Sequence, residues 1–204
     1  MAAGCATPRP VPAIQTPCSR LAAEALEAVY RVGWAVGGGR KRSLRMWVAA
    51  RGPDRLRLEF AGRLGGTLLS VALDGGELTA VSPRSGEHLR VKAHPGLLES
   101  VTGWPVEAEE VSGLLLGCPR PRPRAFEVRY DDWREEAGAR VPGRVIVERL
   151  GETRGTLQLL LESLSVGPLD AAVFALEPPP GSRAVAPAAP GTPAPLWDFS
   201  GGDP

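Results

Sequence analysis

No stretch of the 204-residue chain approaches the roughly 18 consecutive apolar residues of a membrane-spanning helix, so attachment to a membrane would have to come from lipid or surface contact. Histidine is nearly absent. His88 and His94 are the only two, and neither stands in an HExxH arrangement. No GxSxG elbow is present. Lysine is scarce beside arginine, and the 24 basic residues face 23 acidic ones, a net charge of +1. That balance gives no broad positive field, so nucleic acid is not an expected partner. Cysteine is limited to Cys5, Cys18 and Cys118, an odd number.

What is present suffices for one core: 43% of the residues are hydrophobic, which makes a single domain with tails the expected organisation. Residues 1–18 read as a processing site and tether, 19–177 as the domain and 178–204 as a disordered tail. Met1-Ala2-Ala3-Gly4-Cys5 sets small residues and a glycine before a cysteine, the pattern of a bacterial lipobox, where lipoprotein precursors are acylated and cut. Ala2 stands where leucine is usual. The basic and apolar regions of a signal peptide are not seen ahead of Cys5, so a late start or a near-mature form is expected. Cys5 is the candidate lipid attachment. Cys118 reads as a small buried hydrophobe and Cys18 as a free thiol, with pairing in an oxidising periplasm as the alternative. Ala6 to Pro17 is rich in proline and small residues, as an extended tether is. From Pro178 onward Pro, Ala and Gly dominate and cannot bury enough surface to order the chain. Leu196-Trp197-Asp198-Phe199 is an aromatic cluster in that tail, expected to be solvated.

Between the tails, Ser19 is the expected cap of a helix whose apolar side is Leu21, Ala25, Leu26, Val29 and Tyr30. Strict alternation then predicts strands at Leu44, Met46, Val48, at Leu56, Leu58, Phe60 with Arg55, Arg57 and Glu59 between them, and at Leu69, Val71, Leu73. Asp74-Gly75-Gly76 and Arg84-Ser85-Gly86 supply hairpin turns, Leu78 to Val81 and Leu89 to Val91 flanking the second, and the result is an antiparallel meander. Two short helices interrupt it. One follows Pro95 with Leu97, Leu98 and Val101 as its stripe and Gly103 as its stop. The other opens on Glu107, Glu109 and Glu110, runs through Val111, Leu114 and Leu115 and stops at Gly117. Strands resume at Phe126, Val128, Tyr130, at Val145, Val147 and at Leu157, Leu159, Leu161.

Candidate chemistry is sparse. Arg40-Lys41-Arg42 follows Gly37-Gly38-Gly39, but no Lys-Ser or Lys-Thr pair completes a phosphate loop, and a solvated turn able to touch anionic head groups is expected. Asp131, Asp132, Glu135 and Glu136 precede Gly138 and read as a hairpin end rather than as acid-base catalysts. The expectation is a protein without catalytic residues, cofactor or metal.

Five short motifs occur in order: Arg63-Leu64-Gly65-Gly66-Thr67, Val101-Thr102-Gly103-Trp104-Pro105-Val106, Gly113-Leu114-Leu115-Leu116-Gly117, Phe126-Glu127-Val128-Arg129-Tyr130, and Val141-Pro142. Together with the lipobox, they resemble the LolB family of outer-membrane lipoprotein receptors, from about Leu21 to about Leu176. The resemblance implies an α+β fold: an incomplete, strongly curved antiparallel barrel closed by helices over a hydrophobic cavity. It implies a lipid-anchored protein on the periplasmic face of the outer membrane, which takes lipoprotein acyl chains from a LolA-like periplasmic carrier and passes them to outer-membrane lipid. It also makes Leu64 the match to an exposed apolar loop residue that dips into the bilayer, with packing beneath the barrel rim as the open alternative. Phe60, Val71, Leu73, Leu98, Val101, Trp104, Leu115 and Phe126 are the candidate cavity walls, a plain core role being the simpler reading of each. A monomer is expected. Two other readings stay open: a soluble LolA-type carrier, which would lack an anchor, and an assembly or structural lipoprotein binding another hydrophobic ligand.

Overall fold

A computed structural model describes residues 24–36, 42–62, 64–102, 106–118, 126–149 and 155–187. Six strands follow one another: β1 (Leu26–Val36), β2 (Arg42–Arg51), β3 (Arg55–Ala61), β4 (Thr67–Asp74), β5 (Glu77–Ser82) and β6 (Glu87–Lys92). Helices α1 (Leu97–Thr102) and α2 (Ala108–Leu115) come next, then β7 (Phe126–Glu136), β8 (Ala139–Arg149) and β9 (Gly155–Val166). A 3₁₀ turn at Ala171–Phe174 and a short β10 (Arg183–Ala184) end the described chain. All the strands share one sheet, in the order β10-β6-β5-β4-β3-β2-β1-β9-β8-β7. Every pairing is antiparallel except β10 on β6. Among the described residues the two ends of this order do not pair, so the sheet is open rather than closed into a barrel.

Alternation sets the core. Across neighbouring strands, Leu164, Ala28, Val48, Leu58, Val71, Ala80 and Leu89 stand opposite one another in a single apolar row. A parallel row runs from Leu161 through Tyr30, Met46 and Phe60 to Leu69. Side chains with a period of two on paired strands can form such rows only if all strands keep the same face inward. The turns follow their glycines: Gly75, Gly76 and Gly86 have positive φ in the β4–β5 and β5–β6 connections.

Residues 26–31 correct the expected helix. They form the start of β1, with Leu26, Ala28, Tyr30 and Val32 buried and Arg31 exposed. The apolar residues fit both a period of two and a period near four over so short a window. Pairing with both β2 and β9, together with the preference of Val29, Tyr30 and Val32 for extended backbone, decides for the strand. Ser19 and Leu21 lie outside the described residues.

A bulge in β9 places Glu162 out of register opposite β1. Its carboxylate accepts from Arg31 Nε at 3.2 Å and Arg45 Nε at 2.8 Å, joining two arginines that face each other across β1 and β2. A second irregularity lies in β7, where Asp132 adopts φ 56° over Gly143. A Cβ at Gly143 would sit 2.5 Å from the Asp132 carbonyl oxygen. Gly143→Ala is therefore expected to destabilise the protein by about 1–3 kcal/mol, because backbone has to move to admit the methyl group. A urea midpoint equal to that of the wild type would show that β7 yields freely.

Two further expectations change. Cys118 is half-buried and disulfide-bonded, not a lone thiol in the core. At the end of α2 its sulfur is near enough to the surface for another cysteine to reach. Cys5 and Cys18 lie outside the described residues. The chain beyond Pro178 carries structure as well: Arg183 N–H donates to the Gly86 carbonyl at 2.8 Å and Val185 N–H to the His88 carbonyl at 2.8 Å, which adds β10 to the sheet edge. Residues 188–204, with Leu196 to Phe199, lie outside the described residues.

Candidate functional site

The β3–β4 connection carries Leu64 at its tip. Gly62 N–H donates to the Gly66 carbonyl at 2.9 Å and Gly65 N–H to the Gly62 carbonyl at 3.0 Å, so the loop closes on itself. Gly65 takes φ 88°, a conformation that favours glycine. The closure leaves the leucine nothing to pack on, and Leu64 is 102% exposed. Packing beneath a rim is thus not what this side chain does. Among the described residues, Trp133 is the other exposed large apolar side chain, at a much lower 40%.

The candidate wall residues meet in one place. Phe60, Val71 and Leu73 come from the core face of β3 and β4, Leu98 and Val101 from α1, Leu115 from α2 and Phe126 from β7, and all belong to one buried apolar cluster. Trp104 and Cys5 lie outside the described residues. The helices are tied to each other and to the sheet by charge. Glu107, just ahead of α2, accepts from Gly96 N–H at 2.9 Å at the start of α1. Glu99 of α1 pairs with Arg149 of β8 at 3.1 Å. At the other end, Gly117, with φ 79°, lies against Trp133, whose ring is 6.0 Å from that of Tyr130.

Polar groups on this face are few. Arg134 of β7 donates across β8 to the Leu161 carbonyl, beside the β9 bulge. Tyr30 stands opposite Leu161, and burial pushes its phenol above the ordinary tyrosine range, the nearby Arg134 guanidinium acting in the opposite direction. The phenol therefore stays protonated and neutral at physiological pH. The leucine, valine and phenylalanine side chains of this face are buried in one apolar cluster between the sheet and the two helices.

The second face of the sheet was not legible as a site. Here Phe174 is fully buried, together with Ala49, Ala72 and Val81, none of which belongs to the main cluster. The segment after β9 forms a strap over β3 and β4. Asp170 caps its 3₁₀ turn by accepting from Ala172 N–H at 2.9 Å. Arg57 donates to the Ala175 carbonyl at 3.0 Å, Arg90 pairs with Glu177 at 3.1 Å, and Ser182 Oγ lies 2.9 Å from His88 Nδ1. Arg183 pairs with Glu87. Arg57 is buried in consequence, although alternation alone puts it on a solvated face. The readable signal was a capping aspartate followed by one aromatic residue just past the last strand.

Among the described residues no three His, Cys, Asp or Glu side chains gather as metal ligands, and no helix is long and apolar enough to cross a membrane. Asp131, Asp132, Glu135 and Glu136 are spread along β7 up to the Ala137-Gly138 turn.

The sequence matches no protein-family profile and no curated protein. Solved structures do match. A LolA superfamily protein from Nitrosomonas europaea aligns over 76% of this chain and 91% of its own, at 12% identity and a TM-score of 0.54. An uncharacterized conserved protein from Thermus thermophilus aligns over 82% of this chain and 95% of its own, at 10% identity and a TM-score of 0.42. What this chain shares with the Nitrosomonas protein is the fold.

Proposed function

We propose that this chain is a LolB-like lipoprotein receptor, anchored through Cys5 on the periplasmic face of the outer membrane. It takes the acyl chains of a lipoprotein from a soluble carrier, holds them between the apolar sheet face and helices α1 and α2, and releases them into the bilayer. The observation that carries this reading is Leu64, an apolar side chain fully exposed on a self-closed loop, in a protein with a LolA-type fold. A carrier that only holds cargo has no use for such a tip, which favours the receptor over the soluble alternative. The disulfide at Cys118 fits an oxidising compartment.

Energetics favour a loose container. Burying an alkyl chain yields about 0.8 kcal/mol per CH₂, so a tightly packed site would hold several chains too firmly to release them. The movement of α1 and α2 away from the sheet opens room, with the Glu99–Arg149 pair at 3.1 Å as the contact to be broken. The decisive experiment is transfer of a labelled lipoprotein from a carrier to liposomes, with the chain present or absent. Acceleration by the chain is expected, and cargo that stays on the carrier would overturn the proposal. Binding is checked separately: a fluorescent fatty acid should bind wild type, and Val101→Asp should weaken binding because an unpaired charge enters the apolar cluster. Undiminished binding by a folded Val101→Asp protein would remove α1 from the site.

A further inference from the structure

On the outer face, opposite the residues assigned above to acyl chains, strap and sheet form a cleft of about 420 Å³. Trp47, Arg57, Glu59, Ala172, Val173 and Ala175 line it. Its polar groups are not set for an anion. Arg57 is the lining cation, and it is little exposed: Nη1 donates to the Ala175 carbonyl at 3.0 Å, Nη2 donates to Glu59 Oε1 at 2.6 Å, and Nε is buried with no hydrogen-bond partner among the described residues. Glu59 is the more open partner, its side chain 38% exposed against 11% for Arg57. Its Oε2 makes no hydrogen bond among the described residues.

Trp47 stands directly across the strand pair from Glu59. Its indole N–H donates to Glu27 Oε1 at 2.7 Å. A donor held by a carboxylate leaves the ring richer in electron density, and an aromatic face of that kind attracts cations. Two carboxylates, Glu27 and Glu59, therefore bracket the ring, the second of them paired with Arg57.

We propose that this cleft binds the side chain of a lysine or arginine presented by a partner polypeptide. The stem lies along Trp47, Ala172 and Val173, and the charge meets Glu59. Ligand pockets run from roughly 300 to 1,000 Å³, so a cleft of this size has room for one long side chain and its charged end. An ammonium head group of a phospholipid is the poorer fit. It brings a phosphate with it, and Arg57, with its side chain 11% exposed, presents little to receive one. The proposal is independent of lipid transfer, because the cleft lies on the other face of β2 and β3.

The test uses the full chain and the blocked peptide acetyl-Gly-Arg-Gly-amide, followed by the indole N–H resonance that Trp47→Phe removes. A saturable shift of that resonance is expected. Its affinity should fall by about tenfold or more in Glu59→Gln. Should Glu59→Gln loosen the strap, Ala172→Lys serves instead: Ala172 is exposed, and the new ammonium would compete for the cleft without altering the buried pair. The same peptide with norleucine in place of arginine should produce no shift. An equal response to the norleucine peptide, no saturable shift, or unchanged affinity in Ala172→Lys would overturn the proposal. So would a shift produced by phosphatidylethanolamine vesicles but not by the arginine peptide.

Discussion

Leu64→Glu is expected to leave folding and cargo uptake intact while delivery to liposomes falls by about tenfold or more. Folding should survive because the side chain touches nothing: it is fully exposed, and the loop is closed by backbone bonds between Gly62, Gly65 and Gly66. Delivery should fall because a carboxylate must now approach lipid, and even about 1.4 kcal/mol of added cost is a factor of ten. Measured at equal cargo loading, transfer from carrier to liposomes separates the two steps. Equal delivery by both proteins would make Leu64 ordinary loop surface. Loss of cargo uptake along with delivery would mean that the loop helps to receive acyl chains as well as to insert them.

Phe174→Ala is expected to cost about 3–5 kcal/mol, the range for removing a buried phenylalanine. Its ring is fully buried on the outer face, where Ala49, Ala72 and Val81 are also buried, and losing it should free the strap. Release compounds the cost, because Arg57 would lose the Ala175 carbonyl while remaining partly enclosed. Urea denaturation gives the number, and hydrogen exchange at Val185 N–H shows whether β10 has left β6. A loss under about 1 kcal/mol with β10 still protected would mean that polar contacts alone hold the strap.

These two positions lay differently open to a reading of the sequence. The alternation of Leu56, Leu58 and Phe60 and of Leu69, Val71 and Leu73 fixed two strands and the face they bury. The glycines around Leu64 marked the loop between them. Strand and turn preferences act over a few residues, so such features survive in any local reading. The helices at Leu97 and Ala108 were legible for the same reason, through their apolar stripes and the acidic start of the second.

Where two local readings compete, only tertiary contact decides. Leu26 to Arg31 fits a helix stripe nearly as well as a strand, and β2 and β9 on either side make it a strand. By itself, then, the sequence determined which residues are apolar on one face of the sheet, where the chain turns, and that a leucine sits at the tip of a glycine-rich loop. Tertiary structure decided that this leucine touches nothing, that the sheet stays open, and that the chain after β9 covers the outer face. Burial of Arg57 depends on Ala175, 118 residues further along, and no periodicity within a strand can register a partner at that distance.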